Sequence, residues 1–186
     1  MGKRGLADTY RRRLHGAAQD HFGFVTTEMA AELGVPGVEL RKLAARGGLT
    51  NVAYGVYRFD DVPVGDLDQF MEAVLQVGPD AFLTGETVLA MHDLALVNPT
   101  KVRVGVQKRV RAKLPPHIDL VRMTVPEEDL VEYEGIPSTT VERALRDCIG
   151  RVMPDRLLEA VERARIEGLL LGPRADRLRA EIGGTR

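Results

Sequence analysis

Cysteine is almost missing from this chain: there is one, Cys148, in 186 residues. A single thiol excludes an internal disulfide and any zinc site built from several thiolates, which fits a reducing compartment. Cys148 reads as a small buried apolar side chain rather than a reactive one. Long apolar runs are missing too. No stretch approaches the roughly 20 residues of a membrane span, and the basic start MGKRGLADTYRRRLHG lacks the apolar core of a secretory signal. A cytoplasmic protein with no membrane partner is expected. Catalytic signatures are equally scarce. No strand offers an acidic residue followed by Glu-x-Lys, no His or Cys pair has metal-ligand spacing, and neither a Gly-x-Ser-x-Gly elbow nor a glycine-rich loop before Lys-Ser or Lys-Thr occurs. The expectation is a protein that is not an enzyme and holds no cofactor and no metal.

What is present is segregated charge. The formal net charge is only -1, but residues 1–60 carry nine cations against six carboxylates, and residues 61–98 seven carboxylates and no cation. Residues 99–125 then carry seven cations against one carboxylate, and residues 126–186 ten against thirteen. Two basic blocks flank an acidic one. Phosphate attraction is a local field, screened beyond about 8 Å at physiological salt, so the small net charge does not argue against nucleic acid. The acidic block is a solvated face or a surface for a basic partner.

The length suits one generous domain or two small ones, and the first periodic segment is helical. From Asp8 to His21, with Asp8 or Thr9 as cap, Tyr10, Leu14, Ala17, Ala18 and Phe22 share one face, which leaves Arg11, Arg12 and Arg13 largely outward. Thr26 or Thr27 then caps a short helix, Glu28 to Leu33, stopped by Gly34. A turn through Val35-Pro36-Gly37 leads into a second helix, Val38 to Arg46. This is helix-turn-helix spacing. In the second helix Leu40, Leu43 and Ala44 face the core, while Glu39, Arg41, Lys42, Ala45 and Arg46 face solvent. After Gly47-Gly48 the period becomes strand-like through Leu49 to Tyr54, bends at Gly55 and returns through Val56 to Phe59. A helix pair followed by a ribbon can lay the second helix in a major groove and the ribbon tip on backbone or minor groove. The same shape also serves protein-binding adaptors.

The order Gly23-Phe24-Val25-Thr26-Thr27, a helix ending Leu33-Gly34, the Leu40/Leu43 helix, then Gly48-Leu49 and Gly55-Val56-Tyr57-Arg58, resembles the N-terminal domain of AbiEi-type antitoxins. These are the regulator halves of type IV toxin-antitoxin operons. Where related wings often carry a basic residue before the Gly-Val-Tyr, this chain has Tyr54, which can still donate a hydrogen bond.

The acidic, Pro- and Gly-containing stretch at residues 60–66 reads as a linker, and it divides the chain into a winged-helix domain, 1–62, and a C-terminal α/β domain, 63–186. Beyond it, Leu67 to Val77 is an amphipathic helix, and a second helix runs from a Thr84 cap to about Ala95. A lone His92 there is expected to be structural. Lys101 to Gln107 alternates as a half-buried strand with a basic outer face, and Lys108 to Lys113 continues the charge. Ile118 to Val125 and Leu130 to Tyr133 read as two further strands. Gly135 to Asp147 is a helix start capped by Thr139 or Thr140. Its Pro137-x-Thr139 stretch and the following Arg143-x-Leu145-x-Asp147 are similar to a second AbiEi pattern, and Arg143 can pair with Asp147 at i, i+4. Helices close the chain at about Pro154 to Glu167 and Pro173 to Ile182.

The expected class is therefore α+β, an N-terminal winged helix-turn-helix followed by a C-terminal α/β antitoxin domain. Operator DNA is the expected partner, contacted by Thr27, Arg41, Lys42, Arg46, Asn51, Tyr54 and Arg58, with Lys101, Arg103, Lys108, Arg109, Arg111 and Lys113 as a second basic contact. A homodimer on DNA is one arrangement open to it. The resemblance implies a second partner, a cognate AbiEii-type nucleotidyltransferase toxin. A stand-alone regulator without a toxin and an adaptor that binds protein rather than DNA remain as alternatives.

Overall fold

The computed structural model describes residues 3–95, 100–110 and 113–184, with side chains from Asp8 onward. The chain is α+β and divides into two compact units, Met1–Gln76 and Val77–Arg186. The linker placed from sequence at residues 60–66 lies inside the first unit.

Helix α1 spans Lys3–Gln19 and is followed by strand β1, Phe24–Thr26. Helices α2, Thr27–Glu32, and α3, Gly37–Ala45, come next, then strands β2, Leu49–Ala53, and β3, Val56–Phe59. The sheet order is β1-β3-β2, antiparallel throughout, with Phe24 opposite Arg58, Leu49 opposite Phe59, and a bulge between Asn51 and Ala53. Leu14, Ala18, Val25, Ala30, Leu40, Leu43, Leu49, Tyr57 and Phe59 form one core. Each of its large side chains contributes about 1.5–3 kcal/mol by leaving water. Phe22, expected on the α1 face, instead sits past the helix end at φ 55°. Helix α4, Asp68–Val77, buries Phe70, Met71, Ala73 and Val74.

The second unit is built on a mixed five-stranded sheet in the order β6-β5-β4-β8-β7. Its strands are β4, Ala81–Leu83; β5, Val102–Val106; β6, Ile118–Arg122; β7, Leu130–Tyr133; and β8, Ile136–Thr139. β4 pairs antiparallel with β5 and parallel with β8, meeting β8 at Leu83 and Ser138. Helices α5, Glu86–Met91, α6, Val141–Asp147, α7, Pro154–Ile166, and α8, Gly172–Gly183, complete it.

Two expectations fail here for physical reasons. Thr84 does not cap α5. The cap is Gly85, while the Thr84 hydroxyl donates to Asp147 at 3.3 Å. β5 is not basic along one whole face either, because Gly105 lies under the Phe82 ring. A Cβ at Gly105 would fall 2.4 Å from that ring, so glycine is what lets the aromatic lie on the strand.

Among the described residues no helix is long and apolar enough to cross a membrane.

Candidate nucleic-acid interface

The local chemistry of the first unit fixes α2 and the β2–β3 hairpin together. The Thr26 hydroxyl accepts from the Met29 amide at 3.1 Å and caps α2. One residue on, the Thr27 amide donates to the Gly55 carbonyl at 2.9 Å. Gly55 occupies φ 73°, and a Cβ there would meet the Thr27 hydroxyl at 3.0 Å. The hairpin turn is thus hydrogen-bonded to the head of α2, with Thr27 itself exposed.

On α3 the inward side carries Leu40 and Leu43, and the opposite side shows Val38, Arg41, Lys42 and Ala45 to solvent. Lys42 is held by Glu39 at 2.8 Å, an exposed pair worth little. The Arg41 and Arg46 side chains are exposed and have no ion-pair or hydrogen-bond partner among the described residues. Arg12 and Arg13 on α1 are likewise exposed and unpaired, whereas Arg11 reaches Asp61 at 3.1 Å and lies over the Phe59 ring. His15 bonds the other Asp61 oxygen at 3.2 Å. For Asp61, slight desolvation acts to raise the carboxyl pKa, and the Arg11 hydrogen bond and the neighbouring His15 outweigh it, leaving the pKa below the ordinary value.

The hairpin residues divide into two groups. Tyr54 is wholly exposed at the tip. Asn51 spends its amide inside the turn, donating to Ala53 O at 2.9 Å and Val56 O at 3.2 Å. Arg58 is mostly covered: its guanidinium donates to Asp68 at 2.8 Å, to Val62 O and Pro63 O at 3.0 Å each, and lies over the Phe24 ring. Asp68 in turn accepts from the Gly65 amide at 3.0 Å. Arg58 therefore clamps the segment leading to α4 and presents no free cation.

In the second unit Lys101, Arg109 and Lys113 are exposed and unpaired among the described residues. Arg103 is tied to Asp119 at 2.6 Å, and Lys108 to Asp80 at 3.1 Å in a fully solvated pair. Arg111 lies outside the described residues. Arg122, at the end of β6, is a further exposed and unpaired cation that belongs with the basic block but was not among the expected contacts.

The groups set aside as structural sit in polar or apolar packing. Arg143 holds Asp147 at 2.9 Å and Asp129 at 3.2 Å. Partial burial works against its charge, and the hydrogen bonds to Asp147 and then Asp129 outweigh that. His92 packs against Tyr133 with the rings tilted by 50° and their centroids 4.1 Å apart, and burial holds its pKa below the ordinary value. Cys148 is buried, and desolvation, with Glu86 and Asp147 adding to it, pushes its thiol up to about 12. Among the described residues no group of three or more His, Cys, Asp or Glu is placed to hold a metal ion.

These features define an α+β chain of two units, each with a small sheet and its own set of exposed cations. No family model matches it, and no curated protein matches it. Among solved structures it is similar to the RV2827C protein from Mycobacterium tuberculosis, with a TM-score of 0.51 at 19% identity, covering 94% of this chain and 78% of that one. At that identity the likeness concerns the fold alone.

Proposed function

We propose that this chain is a DNA-binding autoregulator and antitoxin. In this reading α2, α3 and the β2–β3 hairpin work as a winged helix-turn-helix, α3 entering the major groove of an operator and the Tyr54 tip meeting its backbone. The observation that carries it is the pair Arg41 and Arg46, exposed on or just after α3 and free of protein partners. Unpaired cations beside a projecting ribbon are what phosphate contact requires, since each contact gains by counterion release. Lys101, Arg109, Lys113 and Arg122 supply a second set of phosphate contacts. The antitoxin half rests on the resemblance to AbiEi-type proteins, and it assigns the second unit to countering an AbiEii-type nucleotidyltransferase.

The test is a fluorescence-anisotropy titration of the full chain against its own upstream DNA at several salt concentrations. Arg41→Ala with Arg46→Ala is expected to lower the slope of log affinity against log salt by about 1.8, at roughly 0.9 per lost phosphate contact. An unchanged slope, or no retarded species at micromolar protein and low salt, refutes DNA reading and favours the protein-binding adaptor. The absence of a nucleotidyltransferase gene beside this one refutes the antitoxin half and leaves a stand-alone regulator.

A further inference from the structure

The solvent side of α3 is not uniformly charged. At the helical period Val38 and Ala45, a heptad apart, fall within about 20° of each other, on the line opposite Leu40 and Leu43. Val38 is 46% exposed, and Ala45 is exposed as well. Arg41 stands on one side of that line, and Lys42 and the C-cap Arg46 stand on the other. An apolar crest therefore runs between two cationic flanks. Glu39, farther round the helix, holds the Lys42 ammonium at 2.8 Å. A helix that meets only water carries polar or charged residues along such a line, and valine is a weaker helix former than lysine, arginine or glutamate. Gly37, which opens α3, is exposed, lies outside the left-handed region, and has nothing within 4 Å of where a Cβ would sit. Neither packing nor backbone conformation calls for glycine there, and its bare backbone leaves room for an external surface to come close.

The flanks say what that surface is. Cations without protein partners on both sides of an uncharged crest match a polyanion whose charges line two rims with an uncharged floor between them. The major groove has this layout, with phosphates along its rims, and the apolar group on its floor is the 5-methyl of thymine. Side chains with no hydrogen-bonding atom touch that methyl and make no use of the donors and acceptors of the other bases. We infer that Val38 and Ala45 are the base-reading residues of this unit and that they select thymine, through its methyl group, at two positions of the duplex. The rise of about 1.5 Å per residue sets them about 10.5 Å apart along the helix, which is about three base pairs at roughly 3.4 Å each. This inference rests on the winged-helix reading proposed above and adds to it the bases that α3 reads. Arg41 and Arg46 keep their part as phosphate contacts.

The experiment titrates the full chain against the shortest upstream duplex that it retards, with each thymine replaced in turn by deoxyuridine. That replacement removes the methyl and keeps the base pair. Wild-type binding is expected to weaken about fourfold, the worth of roughly one buried methyl group, at thymines about three pairs apart, and to stay unchanged at the others. Val38→Ala is expected to bind the unmodified duplex weaker by a similar factor, to become indifferent to uracil at one of those positions, and to keep the wild-type salt slope. Ala45→Gly is expected to become indifferent at the other. Alanine is the better helix former, so Val38→Ala keeps the test decisive where Ala45→Gly loosens α3. Full affinity with uracil at every position overturns the inference. So does a uracil penalty that Val38→Ala retains in full, or a salt slope that this variant lowers by about 0.9, as a lost phosphate contact would. The salt slope of the Arg41→Ala/Arg46→Ala variant tells the two readings apart. A lowered slope beside full affinity for uracil duplexes leaves DNA binding standing and removes base reading by the crest, whereas no binding of any duplex removes both.

Discussion

Replacing Arg58 by methionine separates a structural cation from a DNA contact. The side chains of Arg58 and Asp68 are 14% and 10% exposed, and the guanidinium serves one carboxylate and several carbonyls at once. Removing one partner of a buried ion pair costs roughly 3–5 kcal/mol, because the other charge stays behind unpaired. Here water reaches the edge of the pair and methionine retains packing on Phe24, so we expect about 2–3 kcal/mol. The loss should be local to the segment that Arg58 clamps, residues 60–68. Hydrogen exchange of the full chain, followed by mass spectrometry of peptides covering 56–76, reads it as faster exchange there, alongside a lower urea midpoint. Arg58→Met/Asp68→Leu should cost less than the two single changes summed, by on the order of 1–3 kcal/mol, since neither charge is then stranded. In the operator titration the salt slope of Arg58→Met should match the wild type. A variant within about 0.5 kcal/mol of wild-type stability whose salt slope drops by about 0.9 would refute the clamp and return Arg58 to the phosphate contacts.

Gly105→Ala should destabilise the second unit by about 1–3 kcal/mol through collision with the Phe82 ring, and Phe82→Leu should recover part of that loss; calorimetry of both variants checks it. Cys148 gives a pH prediction. Its thiol is raised from 9.0 to about 12 in the folded chain, so between those values the unfolded chain releases a proton that the folded chain keeps. Stability is then intact below about pH 9 and falls as pH rises toward 12. Cys148→Ala should flatten that decline in urea titrations, and a thiol reagent at pH 8 should label Cys148 only after unfolding.

Helices whose apolar residues recur at the helical period were legible from the residues alone. Leu40 with Leu43 marked α3, and the helix expected at about Pro154 to Glu167 is α7. The strands Phe24–Thr26, Ala81–Leu83 and Ile136–Thr139 were not, because they are three or four residues long and buried on both faces or nearly so. Such segments show no alternation to count. The same limit applied to the surface. Arg41 and Arg46 are exposed where the helical period puts them, but a charge pattern does not say which cations are already taken. Asp68 lies ten residues from Arg58, Asp119 sixteen from Arg103 and Asp80 twenty-eight from Lys108, and only the fold brings each pair together.

The bond from the Thr27 amide to the Gly55 carbonyl makes the hairpin and α2 share a fixed point. A residue inserted in the turn would move Tyr54 and at the same time pull on the first residue of a helix six residues long. Ribbon length and helix placement therefore cannot be varied one at a time. A changed spacing between the surfaces that α3 and the ribbon touch would have to be met by new side chains on an unaltered frame, so selection for a new ligand on this unit should appear as substitutions at Val38, Arg41, Ala45 and Tyr54 rather than as loop insertions.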